Sequence, residues 1–259
     1  MGTVHASDYP EARPNRRLAV GPIHADRGPD APSRVPLVRL ARKPLGDPSF
    51  CSAVVETVVA LSLGTKYLLD PAALARIRDI LGAGGLVVHP TDTVYGLAAD
   101  PFQAGAVDKL YAAKSRPRDL PVSISVADVG DVFRFGQRTA IAEAFCAKNL
   151  PGPYTVVLSA TSEAPQAIVS KDGLIALRVP AHPISRLLAK AFGPVTSTSA
   201  NRHGQPAPST CEDAREQLGD RVDLYVDGGP TLLGGESTVV DLSGPRAKIL
   251  RQGPIRPGA

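Results

Sequence analysis

Gly84-Gly-Leu-Val-Val-His-Pro-Thr-Asp-Thr-Val-Tyr-Gly-Leu97, followed by Lys114-Ser-Arg-Pro-Arg118, decides how this chain is read. Leu86, Val87 and Val88 form a short apolar run between Gly84-Gly85 and Pro90, the pattern of a strand buried on both faces. Thr91, Asp92, Thr93 and Tyr95 crowd the carboxyl end of that strand, and Gly96 permits close backbone approach. Ligands of open α/β sheets sit beyond the carboxyl ends of strands. Lys114, Arg116 and Arg118 then bracket Pro117, which stiffens the turn that carries them. Hydroxyls for a small polar substrate followed by held cations point to chemistry on a phosphorylated compound.

Working outward, Asp70-Pro71 supplies an N-cap and a first-turn proline, and Leu74, Ile77, Ile80 and Leu81 give one apolar helix face ended by Gly82. Helices are expected from Ala106, over 141–150, over 183–192 and over 210–218. Strands are expected at 121–126, 154–160, 174–179, 194–198, 222–226, 238–242 and 248–251. Helices alternate with strands to about residue 226, which predicts an α/β fold with a mixed β-sheet. The fold is expected to start near Thr65, giving a disordered extension over 1–64 and a catalytic domain over 65–259. Residues to about Pro48 are rich in Pro, Arg, Gly and Asp without hydrophobic period. Their acids argue against an organelle transit peptide.

The chain has 259 residues and is 43% hydrophobic, enough for a full core, with no apolar run long enough to span a membrane. Cys51, Cys146 and Cys211 are widely spaced and odd in number, so zinc and a disulfide framework are not expected and a reducing cytoplasm is. The net charge of +4 is uneven: nine bases face six acids up to Lys66, whereas twenty face nineteen beyond it. Nucleic-acid binding by the folded part would need a local patch. The usual nucleotide loops, the serine-hydrolase elbow and the zinc-protease helix motif are all missing.

Other pieces are ordinary in isolation. A lysine at a helix end, as Lys114 is read, favours the dipole and contributes little to stability. Ser197-Thr-Ser-Ala-Asn201 can cap a helix or hold phosphate oxygens. Arg178, inside an apolar strand, must meet an acid or an anionic ligand. His89 and His182, each before a proline, read as structural.

Taken in order, seven segments resemble the YrdC family of threonylcarbamoyl-AMP synthases: 89–97, 114–117, 151–155, 177–180, 197–201, 236–241 and 250–253. The resemblance implies a twisted mixed sheet flanked by helices and lining a basic groove. It implies synthesis of threonylcarbamoyl-AMP and pyrophosphate from L-threonine, bicarbonate and ATP with Mg²⁺, for threonylcarbamoyladenosine in tRNA. It gives Lys114, Arg116, Ser199 and Asn201 as the catalytic set. Thr91, Tyr95, Arg178, Ser197 and Ser237 are implied to hold threonine; Lys114, Arg118, Ser199, Asn201 and Arg251 are implied to hold ATP. No protein metal site is implied; tRNA and the transferase proteins of tRNA modification are possible partners. Ser115 departs from the Gly or Asn common between the Lys and Arg, and Val122-Ser123 from a more apolar pair. The alternatives are a non-catalytic double-stranded RNA or tRNA binder, and carbamoyl-AMP chemistry as in the HypF module.

Overall fold

Two mixed sheets carry the chain in a computed structural model that describes residues 70–257 and, as backbone only, three short strands ahead of them. The first sheet runs in the order β1 (Glu56–Val59), β11 (Leu224–Asp227), β4 (Val87–His89), β5 (Gly96–Ala98), β10 (Thr198–Ser199). β1, β11 and β4 are parallel, while β5 is antiparallel to both β4 and β10. The second runs β13 (Lys248–Arg251), β12 (Thr238–Asp241), β7 (Tyr154–Ser159), β8 (Leu174–Arg178), β6 (Ile124–Ser125), β9 (Val195–Thr196). β2 (Leu61–Leu63) and β3 (Lys66–Leu68) pair with each other. Apart from the β2–β3 pair, the strands therefore divide between two mixed sheets where the sequence reading gave one mixed sheet. The first sheet also begins at Glu56, ahead of the start read at Thr65. The reading of the preceding tail as disordered falls on residues outside those described.

Burial explains why β4 sits centrally. Val87 packs with Ile77 and Leu81 of α1 (Pro71–Gly82), with Ile184 and Leu188 of α5 (Pro183–Phe192), and with Leu224 and Val226. Leu86 and Val88 point the other way, into a second cluster with Leu97 and Tyr225 that includes Leu110 of α2 (Ala104–Lys114). Alternate side chains enter opposite cores, so the strand needs apolar residues at every position.

The helix signals were mostly local and strong. Asp70 accepts a bond from the Ala72 amide and caps α1. Thr139 caps α4 (Ala140–Asn149), and Thr210 with Asp213 forms a reciprocal capping box on α6 (Cys211–Leu218). Two local readings fail. Residues 121–126 give only the two-residue β6, and α3 (Val129–Phe135), capped by Asp128, was not foreseen. With only Val132 and Phe135 buried, α3 is too short to show a helical period.

Ser197 separates β9 from β10, so here the chain leaves one sheet and enters the other. Ser123 and Ser197 brace this crossing through two bonds: the Ser197 amide to the Ser123 carbonyl (2.7 Å), and Ser123 Oγ to the Ser197 carbonyl (2.8 Å). The site opens beside it.

Candidate functional site

A cavity of about 910 Å³ opens against the carboxyl end of α2, the β9–β10 crossing, and strands β7, β8, β12 and β13. That size is within the range of small-molecule sites. Its lining brings Lys114, Arg116, Arg118, Arg178, Ser197, Ser199, Asn201, Ser237 and Arg251 into one space from distant parts of the chain. Among ionisable neighbours it also holds Lys171, Asp119, Asp172 and Glu236.

Arg178 ends β8 and is 4% exposed. Its Nη2 donates to Asp92 Oδ1 at 2.7 Å and to Thr93 Oγ1 at 3.2 Å. The sequence required a partner for this buried charge, and Asp92 is that partner. Burial pulls the Arg178 pKa down, while Asp92 opposes the shift. The pair does not satisfy the guanidinium, because Nε is buried without a hydrogen-bond partner. Ser197 Oγ, on the same lining, is also buried and unpartnered. Buried polar atoms without partners are rare in folded proteins, and with Arg116 Nε three of them belong to residues that line this one cavity.

Lys114 closes α2 as read, but it is buried rather than solvated. It is 1% exposed, and its ammonium donates to the carbonyls of Ser199 and Asn201 (2.7 Å for the latter) and to Asn201 Oδ1 at 3.1 Å. The His203 amide returns a bond to the Lys114 carbonyl at 2.7 Å. All three donors of the ammonium are thus used within the protein. Burial, then the neighbouring Arg116 charge, lowers its pKa to about 7, with Glu236 pulling the other way. Ser199 Oγ donates to Asn201 Oδ1 at 2.6 Å, and Asn201 Nδ2 to the Gln205 carbonyl at 2.6 Å. The four residues of the Lys-x-Arg and Ser-x-Asn segments are therefore not four independent ligands. Lys114 is the peg on which the Ser199–Asn201 turn is hung.

The other cations sit nearer solvent. Arg116 donates from Nη2 to the Pro121 carbonyl at 3.0 Å and leaves Nε buried and unpartnered. Arg118 pairs with Asp108 and lies 4.8 Å from the Tyr111 ring centre. Arg251 bridges Glu236 (2.7 Å) and the Ser237 carbonyl (3.0 Å). Ser237 Oγ meets Thr155 Oγ1 at 2.8 Å across β7 and β12. Gly253 allows this corner to close: a Cβ there would lie 2.4 Å from the Glu236 carbonyl oxygen.

Thr91 and Tyr95 are not brought to the cavity. Thr91 Oγ1 donates to the Val94 carbonyl at 2.6 Å and accepts the Thr93 amide, closing the turn on itself. Tyr95 is fully buried, and its hydroxyl donates to the Gly229 carbonyl at 2.7 Å. Their hydroxyls brace the loop, and Thr93 between them lines the cavity. Ser123, Thr155 and Glu236 join it as lining residues that sequence reasoning missed. Ser123 was visible only as a departure from an apolar pair; Thr155 and Glu236 lay inside quoted motifs without a signal of their own.

Comparison with known proteins follows the same residues. The family model Sua5/YciO/YrdC, described as "Telomere recombination", matches residues 79–253. A Mycobacterium tuberculosis protein is 41% identical over 179 residues, covering 67% of this chain and 80% of that one. The threonylcarbamoyl-AMP synthase of Bacillus subtilis is 34% identical over 205 residues, covering 78% of this chain and 57% of its own. The crystal structure of Pyrococcus abyssi Sua5 complexed with L-threonine superposes with a TM-score of 0.69 at 32% identity, over 72% of this chain and 55% of that one.

Proposed function

The chain belongs to the Sua5/YciO/YrdC family, and from that premise we propose that it is an L-threonylcarbamoyladenylate synthase acting in the cytoplasm. The observation that carries the reading is the set of unpartnered buried polar groups on lining residues, Arg178 Nε, Arg116 Nε and Ser197 Oγ, in a cavity that also holds Arg118 and Arg251. A carboxylate on Arg178 and a polyphosphate along the outer arginines would use both halves of that cavity. The threonine complex of the Pyrococcus abyssi relative supports the amino acid as one substrate.

The chemistry asks little covalent work of the protein. The amine of threonine takes up bicarbonate with loss of water to give a carbamate. A carbamate oxygen then attacks the α-phosphorus of ATP, the bond to the β-phosphate oxygen breaks, and pyrophosphate leaves with its electron pair. Arg178 and Ser197 hold the threonine carboxylate, with Thr93 and Ser237 nearby. Arg116, Arg118 and Arg251 face the phosphates, and Ser199 and Asn201, held by Lys114, complete that side. Preorganised cations where charge develops supply the main stabilisation.

Among the described residues no group of three His, Cys, Asp or Glu could hold a metal ion. A Mg²⁺ ion would therefore be taken by phosphate oxygens and water, which matches its ordinary coordination, and would neutralise phosphate charge. Product transfer to tRNA by partner proteins would follow. The test is to supply labelled bicarbonate, threonine and ATP and look for one product carrying the label, threonine and AMP by mass spectrometry. Carbamoyl-AMP formed from ATP and added carbamoyl phosphate, with no threonine present, would favour the HypF-like reading instead.

A further inference from the structure

Asp92 touches Arg178 yet does not line the cavity. Its Oδ1 accepts Arg178 Nη2 at 2.7 Å, and its Oδ2 accepts the Ala181 amide at 3.2 Å. Asp92 is 9% exposed and Arg178 4%, so both charges are removed from solvent. A second acceptor, Thr93 Oγ1, takes the same Nη2 at 3.2 Å. Two oxygens thus grip one corner of the guanidinium, whereas Nε has no partner. The Ala181 amide fixes the carboxylate in turn. The guanidinium is planar, so holding Nη2 from two sides sets the orientation of the whole group.

We infer that Asp92 is a positioning residue that fixes the orientation in which the Arg178 guanidinium meets the carboxylate of an amino-acid substrate. This rests on the reading of Arg178 as the carboxylate-binding group. A bare salt bridge serving only stability would be expected to satisfy the guanidinium more fully, since breaking or half-satisfying a buried pair is costly. Here the bonds collect on one nitrogen. A misaimed guanidinium would still neutralise Asp92 but would meet the substrate carboxylate at the wrong angle.

The test is Asp92→Asn in the full chain, read by threonine binding in calorimetry without ATP and by the KM values for threonine and ATP in pyrophosphate release. The amide keeps one acceptor and removes the charge. Threonine affinity is expected to fall roughly tenfold or more, with the ATP KM changed less than about twofold. Arg178→Gln should produce the same loss, and the double variant should be no worse than Arg178→Gln alone, because Asp92 acts through Arg178. If Asp92→Asn does not fold, Asp92→Glu keeps the charge but shifts the carboxylate, and the same selective loss for threonine is expected. Equal losses for threonine and ATP, unchanged threonine binding, or additive losses in the double variant would overturn the inference. A wild type that binds threonine but releases no pyrophosphate would refute the synthase reaction and leave the Asp92 result standing.

Discussion

Lys114 concentrates three bonds on one turn, and its replacement should be felt in two ways. Lys114→Met leaves the Ser199 and Asn201 carbonyls without their donor in a buried place. A loss of about 2–4 kcal/mol in stability is expected, together with loss of pyrophosphate release, by denaturant unfolding and enzyme assay. The sequence placed this lysine at a helix end and, through the family resemblance, in the catalytic and ATP-binding set, without showing that its ammonium is buried. Nothing local shows that residues 199–203 fold back over it, since that contact spans a sheet-to-sheet crossing. Arg178 was more legible, because a charge within Leu174–Val179 must be paired whatever the topology; its partner Asp92 could not be read. His89 is fully buried, and burial pulls its pKa from 6.5 to about 4. The unfolded chain therefore binds the extra proton between those values, so stability falls as pH drops from 6.5 toward 4, by about 3 kcal/mol for this group. His182, also lowered to about 4, adds to the slope. His89→Gln should flatten the dependence of the thermal midpoint on pH in that window, unless the imidazole protonates freely in the fold.

At the scale of elements, α2 ends on Ser115 in the left-handed conformation, at φ 50°. Its amide bonds back to the Ala112 carbonyl, and Arg116 begins beyond it. A side chain in that region costs on the order of 1 kcal/mol, which Gly avoids and Asn reduces. Ser115→Gly is therefore expected to raise stability by about 0.5–1 kcal/mol without loss of activity, read as a higher thermal midpoint. A lower midpoint would mean the Ser115 side chain contributes something the cap geometry does not show. Read from sequence, Ser115 was only a mild departure from a pattern; the backbone angle explains why Gly or Asn suits the position. Long periodic elements such as α1 and α5 were legible because each advertises its buried face and its caps. The short strands β5 and β10 were not, and β6 and β9 were read longer than they are, because two or three residues carry no period and are made by pairing with distant partners.

For the whole molecule, the division into two sheets determines where the cavity lies: the chain crosses between them at Ser197, and the α2 cations meet that crossing. The seven ordered motifs made the set of lining residues largely readable, but not which hydroxyls turn inward, as Thr91 and Tyr95 illustrate. β1 adds a parallel edge to β11. Removal of residues 1–55, which leaves β1 in place, should leave folding and activity nearly unchanged by thermal midpoint and pyrophosphate release. Removal of residues 1–60 deletes β1 as well and should lower the thermal midpoint measurably; equal midpoints for the two truncations would count against the β1–β11 pairing. The central claim is that one cavity joins the carbamate of an amino acid to a nucleotide phosphate, and the most direct measurement is pyrophosphate release from ATP by the full chain. Release that requires both threonine and bicarbonate, and that disappears in Arg178→Ala at low threonine, is the predicted result. No release with both present, alongside tight binding of tRNA, would contradict the synthase reading and leave a nucleic-acid-binding module in its place.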